Sequence, residues 1–150
     1  LEKERERAAR LGYPSPLQPT KVATDEDYDA ALAWSLKNAD RVSVCAGTHN
    51  EKSTLFLAEG LAAEKIPRSD TRFWFAQLLG MGDHLSYNLA SEGYRVAKYV
   101  PYGPVSEMVP YLTRRAQENT SIRGQSSREL QLITSELSRR THKSPVAFKA

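Results

Sequence analysis

Several features that identify common protein classes are missing from this sequence of 150 residues. Cys45 is the only cysteine, which excludes an internal disulfide framework and fits a reducing compartment. No apolar run approaches the ~20 residues that a membrane-spanning helix requires. The three histidines, His49, His84 and His142, do not group with other ligand residues at the spacings of a metal site. Disulfide-stapled, membrane-spanning and metal-centred proteins are therefore excluded as predictions.

Nucleic-acid and nucleotide signatures are missing as well. The formal net charge of +3 is spread along the chain, and no dense block of Lys and Arg predicts a nucleic-acid surface. No G-x-G-x-x-G fingerprint follows a predicted strand, and there is neither a Walker loop nor a nucleophile elbow. The composition, with 40% hydrophobic residues, is that of an ordinary globular protein.

Short apolar runs and amphipathic segments alternate along the chain. Strands are predicted at Val42–Ala46, Arg72–Leu79 and Arg95–Val100, and each is followed by a predicted helix. This order favours an α/β fold with a parallel sheet and helices packed outside it. The short buried runs fit strands that are covered on both faces. In a strand that is covered on both faces, Cys45 is predicted to be a small buried residue. Other predicted boundaries are a helix over residues 1–10, a helix capped by Thr24, a kink or restart at Pro110, a break at Gly124, and a last helix from Ser126 to Arg140.

Polar or glycine-containing clusters follow each predicted strand: Thr48-His49-Asn50, Gly80-Met81-Gly82-Asp83 and Tyr99–Gly103. In parallel α/β folds the active site lies at this carboxyl edge of the sheet. Three strands cannot close a barrel of the ~250-residue class, so a barrel would require earlier strands outside this chain. The chain opens inside a charged helical stretch, which predicts a fragment of a longer protein. A doubly wound sheet is the competing architecture.

One helical face collects groups that suit a small acid. Tyr111, Arg114, Arg115 and Glu118 stand at offsets that share a face of an α-helix. Two half-buried guanidiniums need an anionic partner, and their planar forks match a carboxylate or a phosphate. The alternative is a solvated face with a local ion pair worth only ~0.3–0.5 kcal/mol. His49 could equally be structural, and the residues on either side of it could equally cap the next helix.

Together these stretches resemble the proline dehydrogenase (proline oxidase) family of the eukaryotic mitochondrial type. The resemblance implies the C-terminal part of a distorted (βα)8 TIM-type barrel over residues 1–140, with a flexible tail over residues 141–150. It implies FAD as cofactor, oxidation of L-proline to Δ1-pyrroline-5-carboxylate, a quinone acceptor, and a site on the matrix side of the inner mitochondrial membrane. The stretches that carry it are Glu4–Arg7, Gly12-Tyr13, Gln18-Pro19-Thr20, Thr48–Glu51, Gln77–Asp83, Lys98–Val105 and Pro110–Asn119.

The resemblance also implies roles for individual residues. Arg114 and Arg115 would bind the substrate carboxylate, and Glu118 would orient an arginine. The proline ring would be surrounded by Tyr99, Tyr111 and Leu78. FAD would be contacted by Thr48 and His49. The family's catalytic lysine lies on earlier strands outside this chain, and no metal is implied. Two alternatives stay open, a hydroxyproline dehydrogenase and an inactive fragment that acts as an interaction module.

Overall fold

The computed structural model describes the backbone of residues 2–121 and 125–142 and the side chains of residues 3–117 and 130–140. Helices and strands alternate from β1 to α5, which confirms the predicted α/β class with a parallel sheet. In chain order the elements are α1 Glu2–Leu11, α2 Lys21–Lys37, β1 Val44–Gly47, α3 Glu51–Ala63, β2 Phe73–Leu78, α4 Asp83–Ser91, β3 Val96–Tyr99, α5 Val105–Ser121 and α6 Gln125–His142.

The described residues form two compact units, each treated by itself below. The first unit contains the described residues up to Gln77 together with Leu85–Lys98. The second contains Leu78–His84 together with the described residues from Tyr99 onward. The first unit therefore holds nearly all of the sheet and its covering helices, whereas the second holds α5, α6 and two strand-end loops.

The sheet has the strand order β1-β2-β3. β1 runs parallel to β2, in a register that pairs Val44 with Phe73 and Gly47 with Ala76. β3 runs in the same direction as β2. The N–H of Phe75 donates to Arg95 O at 2.9 Å and the N–H of Leu79 donates to Tyr99 O at 2.9 Å, so the two strands advance together. All three strands thus end at one edge of the sheet.

One face of the sheet packs against helices and forms the core of the first unit. Successive side chains of a strand point to opposite faces, so Ala46, Phe73 and Phe75 point to the helices together. Burial of each large apolar side chain in this core contributes ~1.5–3 kcal/mol. The Phe75 ring also meets the Tyr94 ring edge-on, with centroids 5.4 Å apart. The buried residues of the cluster are Leu32, Leu36, Ala46, Leu57, Leu61, Phe73, Phe75 and Leu89.

The other face of the sheet is open in the described part of the chain. Cys45 and Gly47 of β1 are exposed, and Trp74, Ala76 and Ala97 on the neighbouring strands are half-buried. The prediction that Cys45 is buried, within a strand covered on both faces, is therefore wrong. The physical reason is the alternation of the strand, since Ala46 takes the core-facing position and Cys45 takes the opposite one.

Helix α2 begins earlier than predicted. Its N-cap is Thr20, which has an extended backbone and whose Oγ1 accepts a hydrogen bond from the N–H of Ala23 at 3.1 Å. Thr24 was predicted to be the cap, but it lies inside the first turns and its hydroxyl donates to Thr20 O at 3.0 Å. Both threonines are good capping residues. The sequence favoured Thr24 because the acidic residues that follow it would complement the dipole of a first helical turn.

In the second unit, α5 continues through Pro110 without interruption, so the predicted restart does not occur. Helix α6 continues past the predicted end at Arg140 to His142. On α6, Glu136 accepts hydrogen bonds from Arg139 and Arg140 at distances of 2.5–2.8 Å, and these bonds hold the pKa of its carboxyl at about 2. The predicted break at Gly124 and residues 143–150 of the predicted tail lie outside the described residues.

Candidate functional site

The loop after β1 is built by its own polar side chains. The N–H of Thr48 donates to Ala76 O at 3.2 Å, which extends the pairing of β1 with β2 by one residue. Thr48 Oγ1 accepts from the N–H of Asn50 at 3.0 Å, and Asn50 Oδ1 accepts from the N–H of Lys52 at 3.0 Å. Asn50 is therefore the N-cap of α3, whereas Thr48 braces the turn before it. His49, between them, is half-buried.

A chain of buried polar groups lies beneath this loop. Gln77 is 2% exposed and Ser86 is 3% exposed. Gln77 Nε2 donates to Thr48 O at 3.3 Å, and Ser86 Oγ donates to Gln77 Oε1 at 2.9 Å. Our sequence interpretation did not single out Gln77 as a site residue. A signal was present, since Gln77 follows Phe73 and Phe75 at the same alternate position of a core-facing strand.

The loop after β2 depends on two glycines with left-handed backbones. Gly80 has φ +79° and Gly82 has φ +60°, a region in which a side chain is strained. The N–H of Met81 donates to Leu78 O at 3.0 Å and closes the turn. Leu78, at the end of β2, is 8% exposed. The glycines thus let the chain turn sharply from the strand end into α4.

In the second unit, two tyrosines and an arginine come together between the end of β3 and α5. The rings of Tyr99 and Tyr111 meet edge-on, with centroids 6.3 Å apart and planes at 85°. The guanidinium carbon of Arg115, one turn further along α5, lies 5.2 Å from the centroid of the Tyr111 ring. A hydrogen bond with Tyr111 is the largest of the causes that raise the pKa of the Tyr99 hydroxyl.

The neighbouring arginine differs in its surroundings. Arg115 is half-buried and its Nε is enclosed, whereas Arg114 is exposed. The structure therefore brings Tyr99, Tyr111 and Arg115 into one cluster, and it places Arg114 beside this cluster on the more exposed side of the helix. The side chain of Glu118 lies outside the described part of the chain. The two FAD-contact candidates belong to the first unit and are described only there.

The cluster suits a small molecule that has an anionic end and an apolar body. A guanidinium presents a planar pair of donors that a carboxylate accepts, and its stacking on an aromatic ring contributes ~0.5–1 kcal/mol at an accessible position. The two tyrosine rings supply an apolar wall beside it. Within the described ranges, no group of three His, Cys, Asp or Glu residues could hold a metal ion. Nor does any described helix combine the length and the apolar character needed to cross a membrane.

Comparison with known proteins gives consistent results. Residues 1–128 match the family model described as proline dehydrogenase. The chain is 43% identical over 143 residues to proline dehydrogenase 1, mitochondrial, of Homo sapiens, a match that covers 93% of this chain and 24% of that protein. It is 38% identical over 144 residues to hydroxyproline dehydrogenase of Xenopus laevis, with 93% and 31% covered.

Among solved structures, the chain is similar to the crystal structure of proline utilization A (PutA) from Bdellovibrio bacteriovorus inactivated by N-propargylglycine. The TM-score is 0.74 at 26% sequence identity, and the match covers 81% of this chain and 12% of that one. The chain spans about a quarter of the length of the mitochondrial relatives it matches, 24% of the human protein and 23% of that of Drosophila melanogaster.

Proposed function

The chain belongs to the proline dehydrogenase family, and we propose that it forms the C-terminal part of a flavoenzyme that oxidises L-proline to Δ1-pyrroline-5-carboxylate. The electrons pass to a quinone at the inner mitochondrial membrane, with the enzyme on the matrix side in peripheral contact. The names of the human and bovine relatives, which describe them as mitochondrial, support this location.

The contact between Arg115, Tyr111 and Tyr99 carries the proposal. Proline consists of a carboxylate attached to a small apolar ring, and the cluster offers a partner for each part. Arg115 and Arg114 bind the carboxylate. The two tyrosine rings, with Leu78, form the wall against the pyrrolidine ring. For Glu118, the role of orienting one of the arginines stays a prediction of the family resemblance.

The architecture we propose is the last three strand–helix units of a (βα)8 barrel. The parallel order β1-β2-β3 and the helices on one face of the sheet support it. In a barrel the face opposite the helices points to the interior, and that is the face which carries Cys45, Gly47 and Trp74. The remaining strands would close over this face.

FAD would be held in part by Thr48 and His49, and the chemistry of this loop fits such a role. A threonine hydroxyl that accepts a hydrogen bond, as Thr48 does from Asn50, keeps a proton to donate to a ligand. The half-buried ring of His49 adds a second polar group at the same strand end. When bound, FAD supplies the acceptor for the hydride that leaves the substrate.

The residues of this chain contribute to the reaction by positioning the substrate. A carboxylate held by a bidentate guanidinium loses most of its rotational freedom, so the attached ring has a fixed direction. Tyr99 and Tyr111 then restrict the ring from its sides and exclude water from it. Because orientation is set before the reaction begins, it contributes directly to the rate.

The test is purification of the native protein, followed by its visible absorbance spectrum and an assay with L-proline and a soluble quinone. We expect bound flavin and quinone reduction that depends on proline. A protein that binds no flavin and reduces no quinone with proline would overturn the proposal.

A hydroxyproline dehydrogenase is the second candidate, because the relatives include enzymes with that name. Tyr99 leaves little room for a ring hydroxyl, so we favour proline. The kcat/KM values of the native protein for the two substrates decide between them. We expect Tyr99→Ser to raise the ratio for hydroxyproline over proline by about tenfold.

A further inference from the structure

Gln77 is the one amide among the residues by which β2 faces the helices of the first unit. It follows Phe73 and Phe75 at alternate positions, and all three are nearly inaccessible, at 2% exposure or less. A buried amide is unfavourable unless its donors and acceptor are satisfied. The role of Gln77 therefore depends on the two residues to which its side chain is hydrogen-bonded, Thr48 and Ser86.

The hydrogen bonds fix the orientation of this amide. The main-chain oxygen of Thr48 can only accept, so the NH2 group of Gln77 must face it, at 3.3 Å. The oxygen of the amide then faces Ser86, whose hydroxyl donates to it at 2.9 Å. Ser86, on α4, thus orients the side-chain amide of Gln77. This amide in turn holds Thr48, the residue after β1. The chain of bonds links α4, β2 and the loop after β1.

We propose that Gln77 is a positioning residue, which holds the Thr48-His49 loop in the conformation that binds FAD. This inference rests on the proposed function, in which that loop contacts the cofactor. The bond of Gln77 reaches the main chain at Thr48 itself. The side chain of Thr48 is already engaged with Asn50, so main chain and side chain of this residue are both fixed before a ligand arrives.

A purely structural role for Gln77 predicts a different pattern of effects. If the amide served packing alone, an apolar residue of similar shape at this core-facing position would preserve the structure and the FAD site. If it positions the loop, its loss removes a hydrogen-bond donor from the main-chain oxygen of Thr48 and lets the loop shift. FAD affinity then falls, whereas the binding of proline, which depends on Arg115 and the tyrosines, changes little once FAD is saturating.

The experiment compares Gln77→Leu with the wild type in the native protein. Apo-protein is titrated with FAD, and the proline KM is measured at saturating FAD. We expect the FAD Kd to rise by about tenfold or more, the scale of one buried hydrogen bond, with the proline KM close to that of the wild type. The control is Leu61→Val, which loosens the same core near the other end of α3. It should lower the melting temperature without changing the FAD Kd.

An FAD Kd for Gln77→Leu that matches the wild type overturns the inference, as does an equal rise in Leu61→Val. If Gln77→Leu does not fold, Ser86→Ala provides the test, because it removes the hydroxyl that orients the amide and leaves Gln77 in place. We expect a smaller rise in the FAD Kd, and an unchanged Kd counts against the role of Gln77. A wild type that binds no FAD refutes the proposed function instead.

Discussion

At the scale of single residues, the difference between two adjacent arginines is the main point of interest. Arg115 is half-buried and stacked on the Tyr111 ring, whereas Arg114 is exposed. A guanidinium that already rests on a ring loses less side-chain freedom when it binds a ligand. It is also less screened by solvent. Arg115 should therefore be the stronger of the two contacts with a carboxylate.

Replacement of Arg115 tests this directly. We expect Arg115→Met in the native enzyme to raise the proline KM tenfold or more, since the loss of a bidentate charged partner costs on the order of 2–5 kcal/mol. Arg114→Met should raise the KM less. Arg41→Met, at an exposed position in the first unit, is the matched control and should leave the KM unchanged. A wild-type KM in Arg115→Met would contradict the assignment.

The sequence predicted part of this cluster. Helical spacing alone placed Tyr111 and Arg115 on one face, because the offset of four residues is a property of the helix. Tyr99 stands on another element, and its connection with them rested on its position at a strand end and on the family resemblance. The strand periodicity indicated that Gln77 faces the core, but its role could not be predicted because its partner Thr48 lies on a distant loop.

At the scale of elements, a salt bridge secures the beginning of β2. Arg72 donates through Nε and one terminal nitrogen to Asp70 at 2.9 and 2.7 Å, and through its other terminal nitrogen to Ala39 O at 2.5 Å. This joins the start of β2 to the segment that precedes β1. The hydrogen bonds from Arg72 lower the pKa of Asp70 from 3.8 to about 2.

The lowered pKa of Asp70 predicts a pH dependence of stability. In the unfolded chain Asp70 has its ordinary pKa of 3.8, and in the folded protein about 2. The stabilising contribution is therefore fully present above the unfolded value and is lost as the pH falls toward 2. We expect the melting-temperature difference between wild type and Asp70→Asn to be largest near neutral pH and to shrink in acid. A difference that does not vary with pH would contradict this.

The cap of α2 provides a second prediction at this scale. Thr20→Ala removes the acceptor for the N–H of Ala23 and should lower the free energy of unfolding by about 1 kcal/mol. Thr24→Ala is the matched control. It removes a hydroxyl that only donates to a carbonyl within the helix, so the change should be much smaller. Urea unfolding of both variants measures the difference. Equal losses would show that the cap is not the dominant interaction.

The order of the helices and strands could be predicted from the sequence, whereas their first and last residues were predicted less accurately. The alternation of apolar runs with amphipathic segments determined the class, because each type of segment has its own periodicity. The ends depend on pairing and capping. β1 occupies Val44–Gly47 rather than Val42–Ala46, since its partner on β2 begins at Phe73. Pro110 is accommodated within α5, although a proline in a helix interior removes a hydrogen bond.

At the scale of the whole molecule, the sheet of the first unit is covered on one face only in the described part of the chain. Exposed or half-buried residues on the open face include Cys45 and Trp74. The Arg95 guanidinium carbon lies 5.4 Å from the Trp74 ring centroid and shields part of that face. A sheet with an open face is prone to associate with other chains. We infer that the native protein covers it with further strands.

This arrangement predicts the behaviour of the isolated chain. Residues 1–150 expressed alone should bind no flavin, because Thr48 and His49 are only part of the proposed cofactor site. The visible absorbance of the purified chain measures this, and the full native protein is the control. A yellow chain of residues 1–150 would show that this part of the protein suffices for binding. A colourless one fits both the barrel proposal and an inactive interaction module, which the activity of the native protein then distinguishes.

The position of Cys45 has a practical consequence. It is the only sulfhydryl of the sequence, and its side of the sheet is the one that a closed barrel would enclose. Alkylation of Cys45 by a maleimide, measured by mass spectrometry of the peptide that carries it, should therefore be rapid in the isolated chain and slow in the native enzyme. Cys45 thus reports whether the open face of the sheet becomes enclosed when the native protein assembles, as the proposed barrel requires.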